Sequence, residues 1–345
     1  MKPSTQITFR TGPLSLRLRP RTAAICALLA AAVLVLMLAL LATGSLKIST
    51  ADIAASLLSP GTDPAVDRII LRLRLPRVLT AMLVGAALGM AGAIFQSVSR
   101  NALGSPDVIG FTTGAATGAI VQIILFNAGP VETALAAVLS GMATAALVFV
   151  LSMRGRSTGS YRLVLTGIGC GAMLSGVNTV LLVMGDLDQA ASAQLWLAGS
   201  LSARTWAHVL PAAAGLALAA PVALFHARRL SLLEMGDDTA SQLGLSTERL
   251  RLTMVLAAVA LTAIATAAAG PIAFIALAAP QLVRRLTRAP EVPVFSAALM
   301  GMVLLMAADL LSQRLPFQIN MPIGLTAGLL GGFYLLWLLS RSRTV

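Results

Sequence analysis

Apolar runs of about twenty residues, joined by short polar connections, recur along the whole 345-residue chain. A run of that length, wound as a helix, matches the ~30 Å hydrocarbon core of a bilayer. Lipid offers backbone groups no hydrogen-bond partners, so each run must satisfy its own. With 57% hydrophobic and 11% charged residues, the chain excludes a soluble domain of ordinary surface chemistry. The fold class it predicts is all-α: a polytopic membrane protein with about ten transmembrane helices.

In order, the predicted spans are Thr22 to Thr43, Val78 to Val98, Val108 to Phe126, Thr133 to Met153, Leu163 to Met184, Ala207 to Phe225, Leu252 to Ala269, Ile272 to Val283, Val294 to Leu311 and Ile323 to Leu339. The first is longer than a signal-peptide core and lacks a small-x-small cleavage site, so it reads as a retained span. Residues 1–21, with Lys2, Arg10, Arg17, Arg19 and Arg21 among three prolines, form a basic tail expected to stay partly disordered; residues 22–345 form the membrane domain. Between the first two spans, Ala51 to Leu58 can make a short amphipathic helix. Trp196 and Trp206 suit the membrane interface. Gly270-Pro271 interrupts the seventh run, and Ile272 to Val283 is too short to cross if straight, so a broken or tilted element is expected there.

Two of the runs are dense in small residues at four-residue spacing: Gly85 and Gly89 in one, Gly110, Gly114 and Gly118 in the next. Small residues let helix backbones approach closely in lipid, so these two helices are expected to pack at a shared centre.

Charge sorts by side. With ten crossings, 18 of the 25 basic residues fall on the side of the termini, and the other seven are balanced by seven acids on the opposite side. The positive-inside rule makes the terminal side cytoplasmic, which places both termini in the cytoplasm of a multi-pass protein. The net charge of +12 lies beside apolar spans without aromatic interleaving, so membrane lipid rather than nucleic acid is its partner.

The chemistry the chain lacks is also informative. It has no GxxxxGK[ST] phosphate loop, no HExxH, and no nucleophile beside a base, so no catalytic site is expected. His208 and His226 sit at opposite ends of one span, and Cys26 and Cys170 lie inside apolar runs, so neither a metal site nor a disulfide framework is implied. Asp107 and Asp309 fall near span ends rather than at mid-membrane, where an ion-coupled carrier would bury its relay carboxylates. The chain therefore reads as a passage whose energy enters from elsewhere. One entry point is Leu230 to Arg251, where Leu and Met alternate with Glu234, Asp237 and Asp238 between Gly236 and Gly244; a short helix there would fit a groove on a soluble partner.

The stretch Arg74-Leu75-Pro76-Arg77, Gly85 to Gly89, Gln96, Arg100-Asn101, Gly104-Ser105-Pro106 and Gly110 resembles the permease subunits of ATP-driven importers for iron siderophores, haem and cobalamin, the FecCD-type family. Gly270 to Leu277 with Pro280 and Arg284-Arg285, and Ala308-Asp309-Leu310, are similar to further signatures of it, so the resemblance runs from about residue 25 to 340. The Gly104 to Asp107 turn and the Glu234 to Asp238 run look most like ferric catecholate, enterobactin-type permeases. Ala102 and Gln281 depart from the family pattern, which usually has proline and histidine there.

The resemblance implies a type II ABC importer permease fold, working as a homodimer or heterodimer in the cytoplasmic (inner) membrane. It assigns contact with a separate ABC ATPase subunit, which would use the ATP, to Glu234, Met235, Gly236, Asp237, Asp238, Ala240, Leu243 and Gly244 within the coupling segment 230–251. It assigns docking of a periplasmic or extracellular substrate-binding protein to Arg74, Arg77 and Arg314, the last one position beyond the family's third arginine, where this chain has Gln313. Ser160 and Tyr161 match a cytoplasmic gate. The cargo would be a ferric siderophore, with no cofactor bound by this chain. Haem, cobalamin or a hydroxamate siderophore is the alternative within the family, and an ion-coupled secondary transporter the alternative outside it.

Overall fold

The structure is a computed structural model that describes residues 7–11, 14–44, 46, 48–59, 61, 63–154, 157–158, 160–314 and 321–341. Fourteen α-helices run in chain order: α1 Pro20–Ala42, α2 Thr50–Leu58, α3 Pro64–Asp67, α4 Leu75–Ser99, α5 Phe111–Phe126, α6 Pro130–Ser152, α7 Ser160–Met184, α8 Leu187–Leu197, α9 Trp206–Leu233, α10 Asp237–Gln242, α11 Thr247–Ala269, α12 Ile275–Thr287, α13 Val294–Arg314 and α14 Ile323–Arg341. Two antiparallel strand pairs lie outside this helical body: β1 Ile7–Thr11 with β2 Leu14–Leu18, and β3 Met153–Arg154 with β4 Ser157–Thr158. The first lies within residues 1–21, its register pairing Phe9 with Leu16 and Arg10 with Ser15.

Among the described residues, seven helices are long and apolar enough to cross a membrane: α1, the continuous helix Pro64–Ser99, α6, α7, α9, α11 and α13. The helices Phe111–Phe126 and Ile323–Tyr334 are apolar but shorter. The thirteen residues of α12 rise only about 20 Å. Length and apolarity thus identify seven spans among the described residues, and the protein is a multi-pass membrane protein on that basis.

The second span begins well before its predicted start at Val78, because Pro64–Asp67 runs through a π-helical stretch, Arg68–Arg74, straight into α4. Pro76 explains the π turn. A proline ring clashes with the carbonyl four residues back, and widening the preceding turn, with Leu75 N–H donating to Ile70 O, relieves that clash. The sixth predicted span also runs longer. It continues through Arg228 and Arg229 to Leu233, since no breaker intervenes before Gly236 and Arg229 stacks over the Phe225 ring at 5.7 Å. Leu187–Leu197 form α8, where the Gln189 side chain accepts from Asp186 N–H.

α4 is the hub. Its most apolar window is 83% buried, against 11% for α7. It packs against α13, α11, α9 and α12, with α1 and α14 outside α13. α5, α6 and α7 form a second group joined to the first mainly by α11 against α6. The expectation that the two glycine-rich helices pack on each other is corrected: α4 and α5 each pair with other helices. Gly85 and Gly89 face the backbone of α13, where an added Cβ would collide with the carbonyl oxygens of Gly301 and Ala297; Gly92 meets Ala276 of α12 in the same way. Gly114 and Gly118 face Thr144 and Ser140 of α6, and the Ser140 hydroxyl donates to Gly114 O. Gly110 differs from both. It has φ +74° and joins a 3-10 turn, Pro106–Ile109, to α5, so its role is conformational rather than a helix-face contact.

The broken eighth element was foreseen in kind. Residues 270–274 are irregular, with Gly270 at φ +75° and Phe274 at φ +80° before α12 begins. That strained Phe274 ring lies where a Cβ on Gly331 of α14 would go.

These contacts predict a graded response. Gly92→Val should lower the thermal midpoint of detergent-solubilised protein, because backbone cannot yield and overpacking costs about 3 kcal/mol or more. Gly328→Ala, with nothing within 4 Å of its added carbon, should leave the midpoint unchanged.

Candidate functional site

Functional candidates collect at two ends of the bundle. At one end, Arg74 closes the π-helical stretch and Arg77 lies in the first turn of α4, one helix turn apart around Pro76. Arg74 donates from Nη1 to Leu41 O and from Nη2 to Leu46 O, both at 2.6 Å, so it staples the end of α1. Arg77 reaches across to α13 instead. Its Nη2 donates to Asp309 Oδ1 at 2.6 Å and its Nε to Oδ2 at 3.1 Å, a bidentate pair on a carboxylate side chain only 1% exposed. Gln313 Nε2 donates to the same Oδ2 at 3.0 Å. Asp309, near a span end as expected, therefore anchors Arg77 from 232 residues away. An acid inside an apolar span needs a cationic partner, and that was the available signal.

A cavity of about 300 Å³ opens at this end, lined by Arg74, Arg77, Gln313, Thr43, Gly44 and, unexpectedly, Arg204. Arg204 donates from Nε to Ser200 O at 3.0 Å, and its Nη1 lies 3.1 Å from His208 Nε2. No carboxylate pairs with it among the described residues, and burial pushes its guanidinium below the usual arginine range. Three arginines over one buried aspartate make this cavity electropositive. Arg314 is exposed and donates to Thr43 Oγ1 at 3.3 Å, but it does not line the cavity. Arg204 went unnoticed in the sequence because it lies 127 residues beyond Arg77 in a connection with no motif.

At the other end, residues 230–251 form a compact platform. Leu230, Leu233, Ala240 and Leu250 are buried, so the segment is pinned to the bundle by its apolar side. Gly236 (φ +120°) and Gly244 (φ +81°) turn the chain before and after α10, conformations that side chains rarely adopt. Met235, Leu243 and Asp238 are exposed on the outer surface. Two of the three expected acids are engaged by arginines instead. Glu234 accepts from Arg284 Nη2 of α12 at 2.5 Å; Asp237 accepts from Arg251 Nη2 of α11 at 2.9 Å and also pairs with Arg100. Arg251 is fully buried and also reaches Glu248 at 2.5 Å. The arginines at this end are therefore structural partners of the segment's carboxylates, which the sequence pattern had not suggested.

Ser160 opens α7, and the adjacent Tyr161 side chain is exposed. Among the described residues, neither end brings together a nucleophile and a base.

A helical, multi-pass bundle with a charged cavity at one end and a folded platform at the other has the build of a membrane transport subunit. Residues 31–341 match the FecCD transport family, and this chain belongs to it. It is 46% identical over 315 residues to the ferric enterobactin transport system permease protein FepG of Escherichia coli, covering 91% of this chain and 94% of that protein. It is 35% identical to the hemin transport system permease protein HmuU of Yersinia pestis, over 90% of this chain and 95% of that one. A solved metal-chelate-type ABC transporter in an inward-facing conformation superposes with a TM-score of 0.83 at 26% identity, covering 92% of this chain and 99% of its own.

The Arg77 pair makes a local prediction. Asp309→Asn keeps the shape but removes the charge from a hydrogen-bonded pair, so it should cost about 1–3 kcal/mol, read as a lower thermal midpoint. Arg314→Ala, which removes one long exposed contact, should shift it by no more than about 0.5 kcal/mol.

Proposed function

We propose that this chain is the permease subunit of an ATP-binding-cassette importer and that it carries a ferric siderophore of the catecholate, enterobactin type. Membership in the FecCD family together with 46% identity to an enterobactin permease across nearly the full length supports this reading best. Iron crosses inside its chelator as cargo, so the pathway needs no resident ligands for the metal. Energy comes from ATP used by a separate ATPase subunit, which seats on the platform through Met235, Leu243 and the α10 surface between Gly236 and Gly244. Glu234, Asp237 and Ala240 hold that surface in shape from beneath, while Asp238 faces the partner.

At the opposite end the electropositive cavity receives acidic side chains of a substrate-binding protein. Arg74 and Arg77 line it, and Arg314 stands outside it. Ten crossings, with α5, α12 and α14 completing the seven long spans, place both termini on the cytoplasmic side of the inner membrane. A second permease, identical or homologous, covers the exposed apolar flank of α7, with lipid around the remainder. Ser160 and Tyr161 close the pathway at the cytoplasmic end of α7. A haem cargo is the second reading, favoured by the similarity to the hemin permease.

Vesicles containing this chain, an ATPase subunit and a binding protein should accumulate ferric enterobactin in an ATP-dependent manner, and more efficiently than haem or ferric citrate. Accumulation by the chain without any ATPase would refute the importer reading, and preference for haem would refute the cargo. Replacing Gly236 and Gly244 with leucine should leave the bundle folded but separate hydrolysis from uptake, since side chains at those backbone angles distort α10; unchanged uptake would remove the platform from the mechanism. Reversing Arg74 and Arg77 to glutamate should weaken association with the binding protein, with a loss that grows as salt falls because charge–charge attraction is least screened there. Undiminished association would reject the docking cavity.

A further inference from the structure

Arg100 stands in the stretch that carries the family resemblance, yet neither docking nor gating uses it. It follows the last residue of the hub helix, capping α4 in a left-handed conformation (φ 50°, ψ 33°) that is uncommon for a residue with a side chain. Its N–H donates to Ser97 O, and Asn101 N–H to Gln96 O, so the tight reversal is held by backbone bonds and aims the guanidinium at the platform. There it pairs with Asp237, the first residue of α10. A non-glycine residue held in this region by its surroundings marks a place where geometry is being enforced.

The platform reaches the bundle through a second charged contact. Glu234 pairs with Arg284 near the end of α12. α4 and α12 are not independent: Gly92 abuts Ala276, Gln96 Nε2 donates to Leu277 O at 3.0 Å, and Gln281 Nε2 donates to Ala102 O at 2.6 Å. α13 is joined to the same block through Gly85, Gly89 and the Arg77–Asp309 pair at the far end. α5, α6 and α7 receive no ion pair from the platform among the described residues.

We propose that Arg100 and Arg284 are positioning residues that clamp the platform to α4 and α12, so that force from an ATPase moves the α4–α12–α13 block as one body. This rests on the reading of residues 230–251 as the ATPase contact. Arg251 plays a different part: buried and bonded to both Asp237 and Glu248, it holds the platform's own fold. The Arg100 and Asp237 side chains are 36% and 45% exposed, so the link is open to screening by salt, unlike the Arg251 contact beneath it.

The test uses the full chain reconstituted in vesicles with its ATPase and binding protein, measuring ATP hydrolysed per ferric enterobactin accumulated. Arg100→Gln should leave ATPase association and hydrolysis intact while uptake falls about fivefold or more, the scale of a typical coupling between sites. Arg100→Lys, which keeps the charge but not the planar fork, should restore most of the uptake at low salt and lose it again as salt rises, more steeply than the native protein. A residue that only stabilised the fold would lower uptake and hydrolysis together. Should Arg100→Gln fail to accumulate in the membrane, the salt response of Arg100→Lys decides alone: dependence identical to the native protein overturns the clamp. Native stoichiometry in Arg100→Gln also overturns it. Met235→Arg separates the two ideas, because normal uptake in that variant refutes the platform as the contact, whereas a defect there with normal Arg100→Gln refutes only the clamp.

Discussion

Three glycines of one helix let backbone touch backbone, and the bundle is arranged around that contact. In lipid there is no hydrophobic force pressing helices together, so attraction must come from dispersion at short range and from polar groups that find one another. Gly85, Gly89 and Gly92 remove the side chains that would hold α4 away from α13 and α12. The resulting block is stiff because its near surfaces are main chain, which cannot rotate aside as a side chain can. It is also fastened by polar bonds toward both ends, Arg77 with Asp309 at one and Gln96 and Gln281 at the other.

A stiff block that crosses the membrane suits an importer without its own energy source. The cavity beside Arg77 and the platform beside Arg100 lie at opposite ends of the same helix, so one element connects the surface proposed to receive the binding protein with the surface proposed to receive the ATPase. The second group of helices, α5 to α7, uses a different device: the Ser140 hydroxyl inserts between α6 and α5 and bonds to Gly114 O, a polar contact that suits lipid. It joins the α4 block mainly through α11 against α6.

Much of the fold was legible along the chain because lipid imposes a simple rule: twenty apolar residues must become a helix. The short helix near residues 51–58, the break at Gly270-Pro271 and the platform between Gly236 and Gly244 could likewise be placed from composition and glycine alone. Boundaries were less legible where no breaker stood. α9 ran through two arginines, and the helix before α4 absorbed Pro76 by widening into a π turn. The glycine pairing was misread because spacing gives a helix a thin face but does not say which neighbour will use it.

The sequence by itself determined the class and the family, since these follow from apolar run length and local motifs. Only the tertiary structure decided which charges meet. Arg77 and Asp309 are 232 residues apart, Arg100 and Asp237 are 137 apart, and Arg204 enters the cavity from a connection with no signature. Electrostatic attraction falls with distance through space, not along the chain, so its partners become visible only once the helices are packed.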